Sequence, residues 1–130
     1  MRPSRNIVTC ILVLALSLTM RVHAATSAIA QKEIDHLLGY VKGSNCEFYR
    51  NGTWYGPEKA ETHLRGKYES LDKNNLIVSA EDFVEKVATK SSWSGHPYQM
   101  KCGDQAAVST QQWLNDELAR YRAESENRKK

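Results

Sequence analysis

Asn45 to Gly56, "NCEFYRNGTWYG", is the stretch on which the fold turns. Residues that favour strands flank Asn51-Gly52, the pair a two-residue type I′ turn selects because both of its central positions need positive φ. The stretch predicts an antiparallel hairpin with strands at Cys46–Arg50 and Thr53–Tyr55. It also sets Arg50, Tyr49, Trp54 and Tyr55 around the turn. Successive strand residues face opposite sides, so some of these rings enter the core and others face outward. On an exposed sheet face, such rings favour partner or glycan binding.

Outward from the hairpin, Ile34, Leu37, Leu38 and Val41 make one helical face within Ala28–Val41, and Gly43-Ser44 ends that helix. Gly56-Pro57 stops the second strand and opens a helix to about Ser70, with Ala60, Leu64, Tyr68 and Leu71 on its buried stripe. Asp72 to Asn75 is a turn, followed by the short apolar run Leu76-Ile77-Val78. Ser79 then caps a helix carrying Phe83, Val84, Val87 and Ala88. Ser91 to Pro97 reads as a loop of small residues with Trp93 exposed, leading to a third strand at Tyr98–Cys102. A last helix begins after Ser109, with Trp113, Leu114, Leu118 and Tyr121 on one face; Trp113 and Tyr121 are expected in the core. The fold class is α+β: a small antiparallel sheet, the hairpin plus a third strand, packed by about four helices.

The N-terminus has a different character. Arg2 and Arg5 precede an apolar run from Ile7 to Met20, and Val22-His23-Ala24 fits a signal-peptidase site, so residues 1–24 are expected to be a signal peptide and 25–130 a single domain with a frayed charged tail. The run is too short for an ordinary bilayer span, which weighs against a retained anchor. Cys10 leaves with the signal. The signal also takes Arg2, Arg5 and Arg21, so the formal charge of +3 falls to zero, with 15 basic and 15 acidic residues in what remains. No nucleic-acid partner is therefore expected from charge. The expected localisation is periplasmic or secreted. In that oxidising setting Cys46 and Cys102 are expected to pair, closing a long loop with an entropic stabilisation of roughly 4 kcal/mol. The rival use of both cysteines with His63 and His96 as metal ligands lacks the close Cys-x-x-Cys spacing of such sites. No metal and no cofactor are expected.

The segments "FYRNGTWY" (48–55), "AETHLRGKY" (60–68), "SAEDFVEKVATKSSWSGHPYQM" (79–100) and "QQWLNDEL" (111–118) together resemble the YfeK-like family of small secreted bacterial proteins, a domain of unknown function. The likeness covers about Glu33 to Tyr121. It implies a bacterial exported protein and brings no catalytic assignment.

Read by chemistry, the polar residues of these segments form a candidate binding set: Arg50 and Asn51 at the hairpin tip, His63 and Lys67 one helical turn apart, Ser91, Ser92 and Ser94 in the loop, with Trp54, Trp93 and Tyr98 as aromatic neighbours. Arg50 suits carboxylate or phosphate recognition, or else pairs with a nearby acid. His63 borders the buried stripe, where a histidine commonly holds a loop. Asn51-Gly52 is turn chemistry. A hydrolase built on His63 and Ser94 would lack the Gly-x-Ser-x-Gly elbow and an acid to orient the histidine. Ser70 and Lys73 match Ser-x-x-Lys without its companion motifs. The expected function is a non-enzymatic binding module, or an inhibitor, for an envelope protein or a cell-wall-derived ligand; the alternative is a small hydrolase using His63 and a loop serine.

Overall fold

Three serines start three of the helices. In the computed structural model, which describes residues 26–130 and so leaves the expected signal segment outside the described residues, Ser27 Oγ accepts from the amide of Ala30 at 3.1 Å, Ser79 Oγ from Asp82 at 3.1 Å and Ser109 Oγ from Gln112 at 3.0 Å. Each satisfies an amide that a first helical turn leaves unbonded. These caps open α1 (Ala28–Lys42), α3 (Ala80–Lys86) and α4 (Thr110–Asn127). The remaining helix, α2 (Pro57–Asp72), has Gly56 as its cap and Pro57 at its first position, where the missing N–H is no loss.

The hairpin forms as predicted: β1 (Glu47–Arg50) and β2 (Thr53–Tyr55) pair antiparallel about Asn51 and Gly52, whose φ values are 49° and 88°. The third strand is β3 (Gln99–Lys101), inside the expected Tyr98–Cys102 span, and lies antiparallel beside β1. A two-residue strand, β4 (Val108–Ser109), adds to β3 and gives the order β2-β1-β3-β4. Residues opposite one another share a face. Phe48, Tyr55 and Met100 therefore face the helices, whereas Tyr49, Trp54, Gln99 and Lys101 face outward. Arg50 follows the parity of Phe48 and lies on the helix side, at the strand end where the core stops.

That core joins Ile34, Leu37, Leu38 and Val41 of α1 to Phe83 and Val84 of α3, Leu114 and Leu118 of α4, and Ile77. Val87 and Ala88 are fully buried although α3 ends at Lys86. Trp113 and Tyr121, expected in the core, are half-buried instead. They sit where α4 flanks α1: Trp113 stacks on Tyr40 at 4.4 Å and meets Phe48 edge-on, and Tyr121 stacks on His36 at 3.9 Å. The rings roof the core from its side.

Two ion networks join the helices behind the sheet. Arg122 of α4 binds Glu33 of α1 and Glu81 of α3. Glu117, only 3% exposed, accepts from Arg120 at 2.6 Å and lies 2.7 Å from His36 Nε2. The sulfurs of Cys46 and Cys102 stand at bonding distance, with Cα atoms 4.4 Å apart. This bridge ties the residue before β1 to the residue after β3, at the opposite end of those strands from the hairpin tip. Among the described residues no helix is long and apolar enough to cross a membrane.

Candidate functional site

Strand parity aims Arg50 over the edge of the core, and α2 faces it from the other side. Spacing of four places His63 and Lys67 on that face of α2. The loop after α3 closes the third side. Its shape is set by Ser91, which is 4% exposed: the hydroxyl accepts the amides of Trp93 and Ser94, the carbonyl accepts the amide of Gly95, and the Ser91 amide donates to the carbonyl of His96. Asn51 then fastens the loop to the hairpin. Its amide nitrogen donates to Ser91 Oγ at 3.1 Å, and its amide oxygen accepts from Ser94 Oγ at 2.5 Å.

Two adjoining cavities result. The inner one, about 480 Å³, is lined by Arg50, Asn51, Thr62, His63, Gly66, Lys67, Ser91, Ser92, Trp93 and Tyr98. The outer one, about 540 Å³, shares Arg50, Thr62, His63 and Tyr98 and continues over Phe48, Tyr55, Ala60 and Leu64 to Thr110, with Glu58 and Lys59 also on its wall. Both volumes fall in the range of small-ligand sites. Of the residues singled out from sequence, Arg50, Asn51, His63, Lys67, Ser92, Trp93 and Tyr98 thus meet in one place. Ser94 sits behind Asn51, whose amide it holds. Trp54 does not join them, because its strand position turns it to the outer sheet face, where the Lys101 ammonium lies 4.1 Å from its ring centroid.

The inner cavity brings basic groups together without an acid on its lining. None of the ion pairs among the described residues includes Arg50 or Lys67. The Arg50 guanidinium carbon stands 5.9 Å from the Tyr55 ring centroid. Lys67 donates one proton to the carbonyl of Lys90 at 2.7 Å and lies 5.3 Å from the Tyr98 ring centroid. Burial and then the charges of Arg50 and Lys90 lower the Lys67 pKa from its ordinary value. Burial, Arg50 and Lys67 lower that of His63. Burial raises that of Tyr98, against the pull of Arg50. Groups crowded by like charge favour an anion that relieves them.

His63 Nε2 and the Tyr98 hydroxyl share a hydrogen bond of 3.0 Å. The described geometry therefore pairs the histidine with a phenol, while the hydroxyls of Ser91 and Ser94 are engaged with Asn51 and loop amides. Trp93 is 90% exposed at the rim of the inner cavity. Thr110, missed by sequence reading, is 2% exposed on the outer cavity wall, and its hydroxyl has no hydrogen-bond partner among the described residues. An unpaired buried hydroxyl costs about 1–3 kcal/mol. A threonine next to a capping serine gives no sign of this; its amide donates to the distant Tyr98 carbonyl at 3.1 Å.

The model of a family described as "Family of unknown function (DUF5329)" matches residues 28–122. The chain belongs to this family. Its whole groove, from Phe48 to Thr110, falls inside the matched segment. The protein titled "Uncharacterized protein YfeK" of Salmonella typhimurium is 37% identical to this chain over 87 residues, covering 66% of this chain and 71% of the relative. That likeness agrees with the YfeK-like pattern read from the four segments. No solved structure matches the chain.

Proposed function

We propose that this member of the family is an exported, non-enzymatic binding module whose working surface is the groove between the hairpin tip, α2 and the Ser91–Pro97 loop. The observation that carries the reading is the inner cavity itself: two cations that pair with no acid among the described residues face a ligand-sized space with an exposed tryptophan at its rim. Arginine and tryptophan are the side chains on which binding energy concentrates. Pairing of His63 with Tyr98 supports binding over serine-based hydrolysis. The apolar N-terminal run and the Cys46–Cys102 pair support a periplasmic or secreted setting, in which the partner is an envelope protein or a cell-wall-derived ligand.

Affinity capture from periplasm and solubilised envelope tests this, with wild type beside Arg50→Ala and Trp93→Ala variants of unchanged circular dichroism. The expected result is a specific ligand or partner whose retention drops about tenfold or more in either variant. Equal retention by all three proteins would remove the groove from the function.

A further inference from the structure

The groove is polarised along its length. Lys67 lines its inner end alone and Arg50 borders both ends, while its outer end is floored by apolar groups, carries the exposed and oppositely charged Glu58 and Lys59 on its wall, and bears the hydroxyl of Thr110, unpartnered among the described residues. A fitting ligand has a charge at one end and an uncharged body with both apolar surface and hydrogen-bonding groups.

The nature of the charge follows from which donors remain. Phosphate sites generally rely on several backbone N–H groups aimed at the anion. Here the amides of Ser91, Trp93, Ser94, Gly95 and His96 are consumed within their own loop. Lys67 has one of its three protons committed to Lys90. What remains is one loop amide and hydroxyl, those of Ser92, with the planar fork of Arg50 and the rest of the Lys67 ammonium; a single amide is not the cluster a phosphate site uses. A fork of that kind matches a carboxylate through two parallel hydrogen bonds. The two charges do not demand a dianion.

We propose that the groove binds the free carboxylate end of a peptide, with the carboxylate on Arg50 and Lys67 and the preceding residues in the outer cavity, reaching toward Thr110. The inference rests on the groove-binding reading above and supplies its ligand class. A peptide meets the description because its backbone offers donors and acceptors for Thr110, Thr62 and Tyr98, while small side chains cover Phe48 and Leu64.

The test is titration of the purified protein, followed by nuclear magnetic resonance, with acetyl-Ala-Ala bearing a free carboxylate, with the same peptide as its terminal amide, and with inorganic phosphate. Both the L,L and D,D forms of the acid are used, since their difference tells a ribosomal chain end from a cell-wall peptide. The expected result is saturable shifts at Arg50, His63 and Thr110 with one of the acids. The amide, and the acid with an Arg50→Gln variant, should bind about tenfold or more weakly. Equal binding of acid and amide, or binding of phosphate without either acid, would overturn the carboxylate assignment; so would an absence of shifts with every probe. Wild-type capture of an envelope ligand that still depends on Arg50 would, alongside such a failure, leave the groove reading standing. Loss of that dependence would remove both.

Discussion

At Asn51 one residue serves two structures. Its backbone stands at φ 49°, where asparagine is among the few residues at ease, while its side chain reaches Ser91 and Ser94 of the loop, 40 and 43 positions away. Asn51→Gly separates the roles, because glycine keeps the turn and deletes both hydrogen bonds. The hairpin should persist, with a stability loss of about 1–2 kcal/mol and faster amide exchange confined to Ser91–Gly95. Sequence reading found the turn and put Asn51 in the candidate set with the loop serines, but not the bonds between them, since a dipeptide reports its own φ preference and not its distant partner. His63 carries the second prediction at this scale. Burial, then Arg50 from β1 and Lys67 from its own helix, hold its pKa below the ordinary 6.5, and Tyr98 ahead of β3 shares its Nε2 hydrogen bond. Between those two values the unfolded chain binds the proton more readily, so stability falls as pH drops through that window. Urea midpoints at about pH 7 and about pH 5.5 should differ more for wild type than for His63→Gln.

Among the elements, α4 acts as the tie. Arg122 spans Glu33 of α1 and Glu81 of α3, and Glu33 is 7% exposed. Arg122→Ala strands a buried carboxylate and should cost about 2 kcal/mol, less than a wholly buried pair because the guanidinium is itself half-exposed. Changing Glu33 to leucine together with Arg122→Leu should recover most of that loss, as read from denaturant midpoints. In acid, Glu81 and Glu117 add a separate effect. Bonds from Arg122 and Arg120 are the leading causes holding these pKa values below the ordinary 4.5, so their stabilisation is present above 4.5 and disappears as pH falls through the lowered values. The helices were legible because caps and spacing are local signals: Ser79 with Glu81 and Asp82, or Ile34 with Leu37, Leu38 and Val41. Strand β4 was not, since two residues carry no period and Val108–Ser109 form a strand only by lying beside Gln99 and Met100. Trp113 and Tyr121 show the same limit, as a helical stripe gives the direction of a ring but not how fully its neighbours cover it.

For the whole molecule, the sheet has a covalent end and an end that carries the groove. The Cys46–Cys102 bridge lies at the opposite end of β1 and β3 from the hairpin tip, and neither cysteine lines a cavity. Reduction, or the Cys46→Ala, Cys102→Ala double variant, should lower stability by about 2–4 kcal/mol while leaving ligand affinity unchanged in the molecules that remain folded. Tandem titration and thermal melts of the oxidised and reduced forms would check it. The polar residues of the groove were identifiable one by one in sequence. Their convergence was not, because it depends on Asn51 meeting Ser91 and on β3 settling beside β1. The groove is also a seam: Arg50, His63 and Lys67 come from chain before the exposed turn at Lys73, whereas Ser91, Trp93, Tyr98 and Thr110 come from chain after it. A single tryptic cut at Lys73 would therefore leave two half-sites sewn together by one sulfur–sulfur bond, still competent to bind in native buffer and parting into two bands once a thiol is added.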